Sequence, residues 1–151
     1  MEDKLFKVSD YNKKLNSYLP FDFDYDSIYQ SAGLVKHIQK RHPECVPYLQ
    51  FISSIINSPD YIGVNPNEKE KSFELVKIFS ENVQIGIKLD EQNDYLYVST
   101  LHTITEGKLK HGIKNGRLKK IGQNGIILLI LWYNIVNRKG RKGSRHTRKS
   151  T

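Results

Sequence analysis

The stretch GLVKHIQKRHP at residues 33–43 gathers two histidines, two lysines and an arginine. His37 and Arg41 are four apart and share one face of a helix, with Lys40 beside them; Lys36 and Lys40 make a second such pair. Imidazole gives or takes a proton near neutrality, and Lys or Arg stabilises charge that builds on a phosphate. Cleaving an RNA phosphodiester without a metal needs those functions: a base near the 2′-hydroxyl, an acid near the leaving 5′-oxygen, and positive charge at the phosphorus. The same residues also describe a solvated basic helix face. His42, next to Pro43, suits a helix C-cap equally well.

A second set lies in two alternating segments, VQIGIKLD and YLYVSTLHTI. Lys88 is out of phase with Val83, Ile85, Ile87 and Leu89, so it points away from the face they bury. Strict alternation puts Leu96, Val98, Thr100 and His102 on one face, and Tyr95, Tyr97, Ser99 and Leu101 on the other. If these strands are neighbours, Lys88 lies near Ser99 or Thr100, a cation beside a hydroxyl. The tyrosines suit a core better than a base-stacking platform. Arg117 opens a last basic segment, RLKKI, where a guanidinium suits either a phosphate or a charged sheet edge.

Positioning these groups requires helices followed by a sheet. From Ser27 the apolar spacing of Ile28, Leu34, Val35 and Ile38 predicts a helix that stops at Pro43; Leu49, Ile52, Ile55 and Ile56 predict a second over about 46–57. YIGV, SFELVKIF, VQIGIKLD and YLYVSTLHTI then read as an antiparallel meander, TEGKLKHGIKNG as a short helix or turn, and RLKKI as a final strand. The expected class is α+β. The expected organisation is an extension over 1–26, a domain over 27–121, an apolar segment over 122–137 and a disordered basic tail over 138–151.

Residues 1–106 carry 11 Lys/Arg against 16 Asp/Glu, whereas residues 107–151 carry 13 Lys/Arg and no acid. Such a one-sided field attracts polyanions. Cys45 is the single cysteine, so no internal disulfide is possible and a reducing, cytoplasmic setting is expected. The opening MEDKLFKVSD has no apolar core, so no secretory leader is expected. GIILLILWYNIV falls short of the roughly 20 residues that span a bilayer, which leaves a membrane-surface role as the weakest reading. No Gly-rich phosphate loop, HExxH, CxxC or GxSxG is present, and the histidines lack the spacing of metal ligands, so neither a cofactor nor a metal is expected.

The run from Gly33 to Pro66, with VQIGIKLDEQNDYLYVSTLHTITEGKLK and NGRLKKI, resembles the phage-associated branch of the BECR nuclease superfamily, which groups barnase, EndoU, colicin and RelE-type ribonucleases. The resemblance covers about residues 28–121 and is most specific at HIQKRH and YVSTLH. It implies two N-terminal helices on a four-stranded antiparallel sheet that carries a metal-independent ribonuclease site. By position it implies His37 as acid or base, Lys88 as phosphate contact, Ser99 or Thr100 as an orienting hydroxyl, and Arg117 as transition-state stabiliser. Lys40, Arg41, His42 and His102 become substrate contacts. The substrate would be RNA, tRNA among the candidates, cleaved to a 2′,3′-cyclic phosphate. A toxin of that kind would need an inhibitor or immunity partner. The rival expectation is a non-catalytic nucleic-acid-binding module that relies on its basic C-terminal segment.

Overall fold

In the computed structural model, which describes residues 4–121, the chain runs β1 (Leu5–Asp10), a 3₁₀ turn (Lys13–Tyr18), β2 (Ser27–Ser31), α1 (Ala32–Arg41), a 3₁₀ segment (Pro43–Phe51) and α2 (Ile52–Asn57). It continues with β3 (Tyr61–Gly63), β4 (Ser72–Ile78), β5 (Asn82–Asp90), β6 (Tyr95–Ile104), α3 (Glu106–Lys114) and β7 (Leu118–Lys120). Residues up to Lys119 belong to one compact unit. The apolar segment and basic tail expected over 122–151 lie outside the described residues.

The strands form one sheet in the order β1-β2-β6-β5-β4-β3-β7. The α+β class and the meander from β3 to β6 agree with the sequence, but the sheet has seven strands rather than four. The order is not helices first either: β1 and β2 precede α1. Ser27–Ser31, expected as the start of a helix, is instead a strand antiparallel to β1 and parallel to β6, with Ile28 opposite Leu96 and Tyr29 opposite Tyr97. Short strand segments and helix starts share the same apolar spacing, and pairing on both sides decides this one. The second expected helix is a 3₁₀ segment followed by two turns of α2. Pro47 lies inside that 3₁₀ run and cannot donate the backbone hydrogen bond an α-helix needs there.

One face of the sheet carries the main core, and a smaller cluster of Val76, Leu109 and Leu118 lies on the other. Phe73, Leu75, Ile85, Ile87, Leu96, Val98 and Leu101 are buried in the main core, in register across β4, β5 and β6. Leu34 and Ile38 of α1 and Ile52, Ile55 and Ile56 of α2 are also buried. Each such side chain contributes about 1.5–3 kcal/mol by leaving water. Residues 5–26 are woven into this arrangement: Tyr11 and Phe23 pack on Phe73 at ring distances of 6.0 and 5.8 Å.

Two local devices aim the opposite face. The pairing of β5 with β6 shifts between Gly86 and Ile87: Gly86 faces Thr100 while Ile87 faces Val98, and Ser99 is the extra residue of a bulge. The expected alternation along β6 is therefore broken. Leu96, Val98 and Leu101 share the buried face, and Tyr95, Tyr97, Thr100 and His102 share the other. At the far end, Thr105 caps α3 by accepting from the Lys108 amide at 3.1 Å, and Gly116, at φ +81°, takes the left-handed conformation that follows the helix.

Candidate active site

The face opposite the core is crossed by three rows of side chains, set by strand register. The middle row is Gly63, Glu74, Gly86 and Thr100 on β3, β4, β5 and β6. Neighbouring strands are about 4.8 Å apart, so Glu74 and Thr100 are separated by about 10 Å with only Gly86 between them. A Cβ on Gly86 would stand 2.7 Å from Thr100 Oγ1 and 3.2 Å from Ser99 Oγ. Glycine here is a steric requirement, and it leaves a low floor between taller rows. A glycine inside a strand often marks a place where a ligand approaches the backbone.

Arg117 enters this row from the bend just before β7. Its Nη1 donates to Glu74 Oε1 in a part-buried ion pair. Two glycines make room for the Arg117–Leu118 segment. A Cβ on Gly63 would meet the Arg117 carbonyl oxygen at 2.6 Å, and one on Gly112 of α3 would lie 3.4 Å from Arg117 Nη2. The middle row therefore offers a carboxylate, a guanidinium and the exposed hydroxyl of Thr100. Ser99 is less available, because its hydroxyl donates to the Gly86 carbonyl at 3.2 Å.

On one side of that row lies an imidazole cluster. His102 of β6, His42 at the C-cap of α1 and His37 on α1 succeed one another, with ring centroids 6.2 Å apart at both steps. The cap is real: the His42 amide donates to the Ile38 carbonyl at 2.8 Å. His102 Nδ1 lies 3.2 Å from the Thr103 carbonyl. Its Nε2 lies 3.5 Å from the amide nitrogen of Gln84, the residue opposite it on β5. Gln84 is 5% exposed, and its Oε1 is buried without a partner among the described residues. One such amide can serve both forms of the ring. It donates N–H to the neutral imidazole or, after a half turn, accepts from the imidazolium. His42 Nδ1 is 3.9 Å from Glu44, and His37 is the exposed member of the cluster.

On the other side of the row stands Lys88, whose register partner is Tyr97, not the hydroxyl residues. Its ammonium is held by Glu70 at 3.2 Å and Glu68 at 3.5 Å, both from the loop before β4. Burial acts to lower the Lys88 pKa, but Glu70 and Glu68 outweigh it and hold the group above its ordinary 10.5. Tyr97 and Tyr95 are half-buried on this face and lie ring to ring at 5.8 Å, with Tyr29 joining at 5.8 Å. They are not core residues, contrary to the reading from alternation. Burial and the charge of Glu70 push the Tyr97 phenol up.

The fold thus brings His102, Thr100 and Arg117 to one face of the sheet, with His42 and then His37 following His102 ring to ring from α1, Lys88 one row further along and Ser99 tied to backbone. Lys40 and Arg41 end α1 as exposed cations without an ion-pair partner among the described residues. Sequence reasoning missed Glu74 and Gln84, which look like routine polar positions in alternating strands. Gly86, in the interior of VQIGIK, was the available signal. Among the described residues no three His, Cys, Asp or Glu side chains are grouped to hold a metal ion, and no helix is long and apolar enough to cross a membrane.

The family model described as phage-Barnase-EndoU-ColicinE5/D-RelE like nuclease3 matches residues 6–111, from β1 into α3. No curated protein and no solved structure matches the chain.

Proposed function

The chain belongs to the phage-Barnase-EndoU-ColicinE5/D-RelE like nuclease3 family, and from that premise we propose that it is an endoribonuclease acting by 2′-hydroxyl attack, without a metal, to leave a 2′,3′-cyclic phosphate. The observation that carries this reading is the glycine-floored row flanked by an acid–guanidinium pair and by three imidazoles. The scissile phosphate lies over Gly86, where no side chain stands in its way. Arg117 shares its guanidinium between Glu74 and the phosphate and stabilises the charge that builds there. Glu74 is an acceptor beside the floor and takes the 2′-hydroxyl proton. An imidazole of the His102–His42–His37 cluster gives a proton to the departing 5′-oxygen. The Thr100 hydroxyl orients the substrate, and Lys40 and Arg41 contact the RNA backbone beyond His37. Lys88 is the second phosphate contact, reached when Glu68 and Glu70 release it. A small nuclease of this kind is toxin-like, and a cell that makes it would need an inhibitor.

The test is incubation of the purified protein with total RNA or tRNA in EDTA, with detection of cyclic-phosphate ends. Cleavage is expected to fall at least about 100-fold in Glu74→Gln and in a variant lacking all three imidazoles. Undiminished cleavage in both would discard the site, and absence of cleavage on any RNA would discard the ribonuclease reading.

A further inference from the structure

The row of Glu74, Gly86 and Thr100 ends at Arg117, and α3 lies alongside it, over Val76 on the flank that also carries Gln84 and His102. That helix is held on the sheet by Leu109 and Gly112, both buried, with Leu109 clustered with Val76 and Leu118. A Cβ added at Gly112 would stand 3.4 Å from Arg117 Nη2, so the helix backbone passes next to the guanidinium and borders the site. At about 100° per residue, burying positions 109 and 112 turns 110, 111 and 114 outward. Those positions are Lys110, His111 and Lys114, all exposed, with Lys108 exposed on the flank. Residues 107–121 contain no acid. None of the three lysines has an ion-pair partner among the described residues. Around Lys88, by contrast, stand Glu70, Asp90 and Glu91, which line one concavity with Tyr97. While Glu68 and Glu70 hold Lys88, that end carries net negative charge and the α3 end net positive, so a polyanion on the site is drawn toward α3.

We propose that the outward face of α3 is a track for the nucleic-acid backbone, along which a single-stranded substrate continues past Arg117. The proposal rests on the reading of the glycine-floored row as the cleavage site. It makes the substrate a strand several nucleotides longer than the cleaved step, with Lys110 and Lys114 contacting successive phosphates rather than bases. Contacts of that kind are indifferent to sequence and weaken as salt rises, because each displaces condensed counterions.

The experiment compares the full chain with Lys110→Gln/Lys114→Gln. A labelled 2′-O-methyl RNA, which cannot undergo 2′-hydroxyl attack, reports binding by anisotropy across a salt series. The double variant should bind roughly tenfold more weakly at low salt, and its log K against log salt slope should be shallower by about 1.4. It should cleave a dinucleotide as the parent does and a long RNA with a higher KM. A control, Lys4→Gln/Lys14→Gln, removes the same charge from exposed N-terminal positions and should leave binding within twofold; an equal loss there would overturn the track. Unchanged affinity and slope in the α3 variant would also overturn it, as would a loss seen only on phosphatidylserine vesicles. Lysine-dependent binding by a protein that cleaves nothing would keep the track and discard the ribonuclease reading. Cleavage with binding indifferent to Lys110 and Lys114 would do the reverse.

Discussion

On one side of the glycine floor, His37, His42 and His102 lie ring to ring, drawn from a helix, its cap and a strand, with a buried amide behind the last of them. On the other side, Lys88 extends from the neighbouring strand and is met by two carboxylates. From the sequence both sides offered basic residue types, and only Lys88 could be placed on a face away from the core. The fold separates them by what surrounds each group. An imidazole whose amide partner can either donate or accept, as Gln84 can toward His102, keeps a role in proton transfer. A lysine already neutralised by two acids has to lose partners before it meets a phosphate. On the proposed ribonuclease reading, the acid that protonates the leaving group therefore belongs to the histidine side, and Lys88 would be a modulated contact rather than a fixed one.

The largest effect should come from separating the two sides by mutation. His102→Ala is expected to lower kcat about 10²- to 10⁴-fold, in the range for loss of a positioned general acid or base. Lys88→Ala should change KM by only a few-fold and leave kcat near that of the parent. Steady-state kinetics on one RNA substrate decides this, and a Lys88→Ala variant as impaired as His102→Ala would abolish the asymmetry.

The floor between the two sides gives the next effect. Gly86→Val places a branched side chain where even a Cβ meets Thr100 Oγ1 at 2.7 Å. Overpacking of this kind costs about 1–3 kcal/mol, so the Tm should drop by several degrees. Cleavage should fall by at least about tenfold as the phosphate is kept off the row. A variant that loses stability but cleaves normally would show that substrate does not cross Gly86.

Much of this frame was legible because alternation survives where one face is buried. SFELVKIF and VQIGIKLD could be placed as paired strands, and Lys88 on the face away from the core, from a period of two alone. Three things were hidden for physical reasons. The bulge at Ser99 adds a residue without changing composition, so Thr100 and Tyr97, assigned to opposite faces, share one. Glu74 gains its meaning only when β7, distant in sequence, brings Arg117 beside it. The carboxylates around Lys88 come from NPNEKE, a segment that reads as a polar connection and carries no periodicity to say where it folds. His42 was understood only in part. Pro43 announced the cap correctly, but nothing in the sequence placed the capped ring between His37 and His102.

The smallest effect is also the sharpest probe of the lysine side. In Glu68→Gln/Glu70→Gln the amides keep the shape of the loop and remove the two charges that neutralise Lys88. If those acids hold Lys88 away from substrate, KM should fall about two- to fivefold at low ionic strength, the scale of partly exposed ion pairs, and the gain should shrink as salt rises. kcat should stay unchanged, because no group on the histidine side is touched. The pH dependence is fixed by the direction of the Lys88 shift. Its pKa in the folded protein is raised above 10.5, so the stability contributed by the pair is fully present below that value and is lost as pH rises through the higher one. Across pH 6–8 Lys88 stays protonated, and the ratio of KM values between parent and double variant should be flat. A ratio that varies in that window would assign the effect to another titrating group. A KM that rises on removing the acids would mean that Glu68 and Glu70 touch substrate themselves, and the lysine side would then be a recognition surface rather than a screened cation.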